Sequence, residues 1–157
     1  MRLLRDAYFV ALAVNHLAID LLNSQKEILV VFLAPSLGLS NADIGLVILI
    51  YAAFSSVTQP LFGLLADRFE AHWLSGGSLL WMAGWFSVAV SLPGRWALLA
   101  LIIGALGSGA FHSAGTERAT TRGDTLMLGQ TATAASLFFL FGQVGLSFGP
   151  LVGGALL

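Results

Sequence analysis

The sequence predicts an all-α protein, a polytopic bundle of five transmembrane helices. Three observations lead there. First, of 157 residues 57% are hydrophobic and only 10% charged, where a soluble domain carries about 25% charged residues. Too little polar surface exists to coat a globule in water, so the solvent is largely lipid. Second, five apolar segments are each long enough to cross a hydrocarbon core, which takes about 20 residues. Third, arginine is spread unevenly between the short segments that join them.

The first span runs from Ala7 to Leu33, and it reads as a retained helix. Arg2 and Arg5 give a positive start, but no small-residue cleavage site follows the long apolar run. "APSLGLSNAD" leads to the second span, Ile44 to Leu65, and "ADRFEAH" to the third, Trp73 to Leu92. "PGR", Pro93 to Arg95, is a tight turn before the fourth span, Trp96 to about Gly115. "TERATTRGDT", Thr116 to Thr125, reads as a polar loop before the fifth span, about Leu128 to Leu157. Arg2, Arg5, Arg68, Arg118 and Arg122 fall on one side of the membrane, and Arg95 alone on the other. The excess of basic residues marks the cytoplasmic side, which puts the N-terminus there and Leu157 on the far side. The chain stops in apolar "LVGGALL", so it is expected to be the front part of something longer.

The net charge of −1 supplies no basic stripe for phosphates, which excludes a nucleic-acid partner. With no cysteine there is neither a disulfide nor a thiolate metal site.

One stretch breaks the apolar pattern. "NHLAIDLLNSQKE", Asn15 to Glu27, puts ionisable groups inside the first span. With His16 as zero on a helix, Asp20 falls at about 40°, Glu27 at about 20°, Asn23 at about −20° and Lys26 at about −80°. An ionised residue at a helix centre costs roughly 2.5–3.5 kcal/mol on the insertion scale, so a stripe of them must face an interior or a water-filled cavity. Intramembrane ionisable groups mark substrate or proton paths. Asp20 is the candidate proton carrier and Lys26 its counter-charge. The competing reading is an ion-pair lock in which Lys26 holds an acid on another helix. His112, near the inner end of the fourth span, joins the path as a proton relay or substrate ligand, or is a packed core histidine.

Two glycine-bearing stretches stand out. In "QPLFGLLADR", Gly63 permits a close crossing, and Asp67 and Arg68 sit at the membrane surface, where they could latch one helix group against another. In "GLSFGPLVGG", Gly145 to Gly154, Pro150 bends the helix and the glycines thin it, which suits a sliding interface between two bundles.

"GLLADR", Gly63 to Arg68, resembles the loop motif between the second and third helices of the major facilitator superfamily. "GPLVGG", with Gly149, Pro150, Gly153 and Gly154 and with Gly145 before it, resembles the fifth-helix motif of that superfamily's drug/proton antiporters; Ser136 stands where the motif has its first glycine. "SSVTQPLFGLLADR", "GSGAFHSAG" and a first helix with His16, Asp20 and Pro35 resemble the fosmidomycin-resistance type of efflux protein. The resemblance covers essentially the whole chain. It departs at Glu70, Ala71 and His72, where basic residues are usual. It departs again at Ile103, near the place of an antiporter arginine, and at Ser113, where the efflux type has proline.

The resemblance implies five helices of a six-helix N-terminal half, with substrate held between halves near the midplane. It implies proton-coupled efflux of a small organic compound or drug across an inner membrane, and hence antibiotic resistance. The partners would be substrate, protons, the lipid bilayer and a missing C-terminal half. The alternative is a non-transporting remnant or interaction module. No nucleophile with a base appears, so no enzyme is expected. His16 and Asp20 offer two metal-ligand types on one helix, too few for a site, so neither metal nor cofactor is expected.

Overall fold

The computed structural model describes residues 2–69, 72–126 and 128–156. Described residues outside the turns are helical, in the order α1 (Ala7–Asn23), α2 (Lys26–Leu37), α3 (Asn41–Arg68), α4 (His72–Ser91), α5 (Arg95–Leu126) and α6 (Thr131–Leu156). A single 3-10 turn, Leu3–Arg5, precedes them. Helices α3 to α6 are each long and apolar enough to cross a membrane.

Local chemistry fixes the helix ends. The Asp6 carboxylate accepts the Phe9 amide at 2.9 Å and starts α1, satisfying one of the donors a helix start leaves free. A reciprocal capping box starts α3: Asp43 N donates to Ser40 Oγ at 3.2 Å, and Ser40 N to Asp43 Oδ2 at 2.9 Å. Gly38, Gly94 and Gly129 take the left-handed conformation at the turns that close α2, open α5 and open α6.

The first span is not one helix. It breaks at Ser24 and Gln25, so the range 7–33 expected for it becomes α1 and α2 in series, reaching Leu37. At the break Gln25 N bonds the Leu22 carbonyl at 3.0 Å, a tighter contact than the helical ladder makes. Ser24 Oγ donates to the Leu21 carbonyl at 3.2 Å, and Lys26 Nζ to the Asn23 carbonyl at 3.2 Å. Side chains thus satisfy carbonyls that water would satisfy elsewhere, the condition for broken helices at membrane depth.

The stretch Thr116 to Thr125, expected to be a loop, continues α5 to Leu126. Its polarity marks the end of the apolar span and not the end of the helix. Thr120 and Thr125 turn their hydroxyls back onto the carbonyls of Thr116 and Thr121, at 2.9 and 2.8 Å, and satisfy themselves without leaving the helix. This extension is tied to the start of the chain. Arg122 grips Asp6 through Nε at 3.0 Å and Nη2 at 2.5 Å, and Arg118 donates to Tyr8 OH at 2.8 Å. The Arg122 guanidinium holds the Asp6 carboxyl below its ordinary range, and the Phe9 amide adds to that.

Helix α5 is the centre of the bundle, packed on α1, α3, α4 and α6. Buried residues make up 61% of its apolar window against 11% for α3. Glycines allow the close contacts. A β-carbon at Gly107 would stand 2.7 Å from the Ser78 carbonyl of α4, and one at Gly109 2.6 Å from the Ser55 carbonyl of α3. Ser113 Oγ adds a bond to the Gln59 carbonyl of α3 at 2.8 Å. The α3 side chains turned outward, among them Leu49 and Val57, are strongly exposed and apolar, as they must be where the solvent is lipid.

Candidate functional site

The site is built where α1, α5 and α6 meet. His16 and Asp20 lie one turn apart on α1, and both are buried. His112 reaches the same point from α5. His16 Nε2 is 3.1 Å from Asp20 Oδ2, and His112 Nε2 is 3.3 Å from Asp20 Oδ1. Phe138 stacks on the His16 ring, with centroids 4.1 Å apart, and Phe111 packs beside both rings, 5.4 Å from His16 and 5.9 Å from Phe138.

The far nitrogen of each ring settles its tautomer. His16 Nδ1 lies 2.9 Å from the Phe138 carbonyl oxygen, and His112 Nδ1 lies 2.7 Å from the Ser108 carbonyl oxygen. A carbonyl only accepts, so each Nδ1 carries a proton and donates it. A neutral ring then has only a lone pair on Nε2. Two lone pairs therefore face the two oxygens of one buried carboxylate. Such an arrangement is repulsive until a cation, a proton or something larger, sits between the donors. Asp20 Oδ1 makes no aligned hydrogen bond among the described residues, although His112 Nε2 stands within ion-pair distance of it.

A polar cavity of about 200 Å³ adjoins the cluster, lined by His112, Asn23, Lys26, Tyr51, Ser55 and Gln59 among others. Asn23 Oδ1 and Tyr51 OH are buried there without a hydrogen-bond partner among the described residues. The stripe read from the sequence is thus partly assembled. His16, Asp20, Asn23, Lys26 and His112 gather at the cluster and its cavity. Glu27 does not follow them, because the break after Asn23 resets the helical phase on which its expected angle depended. Its carboxylate is nearly half exposed and pairs with Lys26 at 2.7 Å. Lys26 is therefore not the partner of Asp20. Its ammonium also lies 5.3 Å from the centre of the Tyr51 ring. Two histidines take the place expected for the lysine.

Gly145, Gly149 and Gly153 of α6 pack inside this bundle, against the first span. A β-carbon at Gly145 would come within 2.9 Å of the Leu21 amide, and one at Gly149 within 2.5 Å of the Leu21 carbonyl. Gly153 faces Gln25. These three lay one side of α6 against α1. Gly154 faces open space and Pro150 is exposed. Gly63 also faces open space, so it makes no close crossing within the described residues. Asp67 and Arg68 are exposed at the end of α3. Glu117 and Arg118 turn to Thr121 and Tyr8. Glu70 and Ala71, where the loop resemblance fails, lie outside the described residues, as does Leu157.

Sequence reasoning missed Gly142 and the Phe138 carbonyl. A β-carbon at Gly142 would sit 2.6 Å from His16 Nε2. Its signal was present in the spacing: Gly142, Gly145, Gly149 and Gly153 repeat every three or four residues and mark one helix face. Nothing in the sequence points to a particular backbone carbonyl.

Comparison with known proteins agrees with this architecture. Residues 9–157 match the Major Facilitator Superfamily. The chain is 28% identical over 151 residues to the fosmidomycin resistance protein of Escherichia coli (strain K12), covering 90% of this chain and 34% of that protein. It is 34% identical over 117 residues to protein spinster homolog 3 of Mus musculus, covering 73% of this chain and 22% of that protein. The chain thus spans about a third or less of the length of these relatives. No solved structure matches it. A multi-pass bundle of apolar helices whose buried polar residues converge at its centre, matched from residue 9 to residue 157, belongs to the Major Facilitator Superfamily of membrane transporters.

Proposed function

We propose that the chain is part of the N-terminal half of a secondary transporter that exports a small organic compound in exchange for protons. The convergence of His16 and His112 on the buried Asp20 carboxylate carries this reading. The three groups need a cation between them, and a proton is the one every compartment supplies. Asn23 and Lys26 line the adjoining cavity, where substrate would bind. Glu27 serves this path through its pair with Lys26.

In this reading the arginine-rich end, where Asp6 meets Arg122 and Tyr8 meets Arg118, faces the cytoplasm of a cell bounded by an inner membrane. Gly63, Asp67 and Arg68, in the last turns of α3, serve as the latch between the two states. Gly145, Gly149 and Gly153 set the α1–α6 spacing, while Pro150 and Gly154 face outward toward a sixth helix and a C-terminal half supplied by the rest of the protein. The name of the Escherichia coli relative points to drug efflux and antibiotic resistance.

The test is export of a fluorescent or antibiotic substrate by the complete protein in everted vesicles. Asp20→Asn and His16→Ala are expected to lower export at least about tenfold, below the roughly hundredfold that a positioned proton-transfer group contributes at the low end. Full export by both variants sinks the proton path and leaves a packing role for the cluster.

A further inference from the structure

We propose that His16, Asp20 and His112 form a binding site for a divalent transition-metal ion of the zinc class. The sequence shows two of these ligands on one helix, and the fold adds the third from α5. The three ligand atoms lie within 4.8 Å of one another. In a tetrahedral zinc site with bonds of about 2.0–2.1 Å, neighbouring ligand atoms are about 3.3 Å apart. The two imidazole–carboxylate distances here are 3.1 and 3.3 Å. Each imidazole stands at ligand spacing from its own carboxylate oxygen, His16 from Oδ2 and His112 from Oδ1, so a carboxylate chelating through both oxygens and a closer approach of the two rings complete the set.

The outer contacts support the same conclusion. Metal-bound histidines almost always donate their second ring N–H to a carboxylate, a carbonyl or water, which fixes the tautomer and aims the lone pair. Both histidines do so, through the Phe138 and Ser108 carbonyls. The His16 ring is further buttressed by Phe138 stacked on it and Phe111 packed at its side. Two nitrogens and one carboxylate suit zinc, iron, cobalt or nickel. They suit magnesium and calcium poorly, because those ions take oxygen. His112 also lines the polar cavity, which opens a fourth coordination position on that side.

A metal here would occupy the lone pairs that hold protons in the transport reading, so the two occupants exclude each other. The inference shares residues with that reading but is measured separately. Failure to bind metal leaves export standing. Loss of the export reading with metal binding intact leaves this site standing.

The experiment is a Co²⁺ titration of the full chain, untagged and in detergent, followed by visible absorption and then by Zn²⁺ competition. One equivalent of Co²⁺ with the intense bands of a low-coordinate ion, displaced by Zn²⁺, is expected. Asp20→Asn and His112→Asn should each weaken binding by at least about tenfold, a loss that even outer-shell substitutions reach. Circular dichroism reads helix content for each variant. His112→Asn, at the less buried ring, decides the matter where Asp20→Asn unfolds. His72→Ala removes the third histidine of the chain and should bind as the parent does. Absence of stoichiometric binding overturns the proposal. So does binding that His112→Asn and Asp20→Asn leave unchanged, which means an adventitious ion only, or binding that His72→Ala abolishes.

Discussion

Gly142 of α6 lies so close against His16 of α1 that a β-carbon on it would stand 2.6 Å from the imidazole Nε2 and 2.7 Å from Asp20 Oδ2. The missing side chain is what lets the histidine and the carboxylate meet. Phe138 stacked on the imidazole and Phe111 packed at its side limit where the ring can move.

Gly142→Ala therefore forces either the helices or the ring to move. Overpacking of this kind costs about 1–3 kcal/mol, so the unfolding midpoint in detergent should fall by several degrees. Nitrogen NMR of the imidazoles gives a second check. The parent should show both Nδ1 positions protonated, and the variant should lose that uniformity at His16. Unchanged spectra and an unchanged midpoint would contradict the contact.

Gly145 and Gly154 make a matched pair on one helix. At Gly145 a β-carbon meets main-chain atoms of Leu17 and Leu21, which cannot yield, while at Gly154 it meets nothing within 4 Å. Gly145→Ala should lower the thermal midpoint by an amount worth about 1–3 kcal/mol. Gly154→Ala should leave it within about 0.5 kcal/mol of the parent, as surface substitutions do. Equal effects at the two positions would show that α6 is rotated from the face described.

The Asp6–Arg122 clamp carries a pH signature of definite sign. Its guanidinium lowers the Asp6 carboxyl pKa in the folded chain, while an unfolded aspartate titrates at about 3.9. The clamp's contribution is therefore complete above that value and is lost as pH falls through the lower, folded one. Hydrogen exchange at the amides of the first α1 turn should be slow and nearly flat from pH 7 to about 5, after correction for intrinsic rates, and should accelerate in stronger acid. Arg122→Gln should remove that protection at neutral pH. Protection that persists in the variant would assign it to the Phe9 cap alone.

Ser113 joins α5 to the Gln59 carbonyl of α3 at 2.8 Å. Interhelical hydrogen bonds in membranes average about 0.6 kcal/mol and reach about 1.7. Ser113→Ala should therefore cost about that much in reversible unfolding, with helix content unchanged. No measurable loss would mean that the interhelical bond adds no net stability, since the same substitution also removes the 3.2 Å bond of that hydroxyl to the Gly109 carbonyl.

The apolar runs made four helices of membrane-crossing length legible, α3 to α6, and did not show that the first of the five expected spans is two helices. They were less informative about helix ends. Thr116 to Thr125 are polar and still helical, because threonine can bond its own helix. The break at Ser24 lies in the polar run Asn23 to Glu27, which reads equally as a polar stripe on an unbroken helix, so hydropathy alone does not mark it. That break explains why Glu27 left the stripe. His16 and Asp20 were legible as partners because helical spacing is local information. Their meeting with His112 was not, since it depends on how α5 docks, 92 positions beyond Asp20. The role of Lys26 was misjudged for the same reason: a nearer acid and an open carbonyl satisfied it first.

The interrupted first span has a mechanical consequence. A continuous helix resists bending because main-chain bonds must stretch. Here the two rods meet at a joint whose open carbonyls rest on the Ser24 hydroxyl and the Lys26 ammonium. The stiffness of that joint is thus encoded in two side chains. A change at Ser24 or Lys26 would therefore reach Asp20 and Glu27 through the joint between the two rods, without touching either carboxylate.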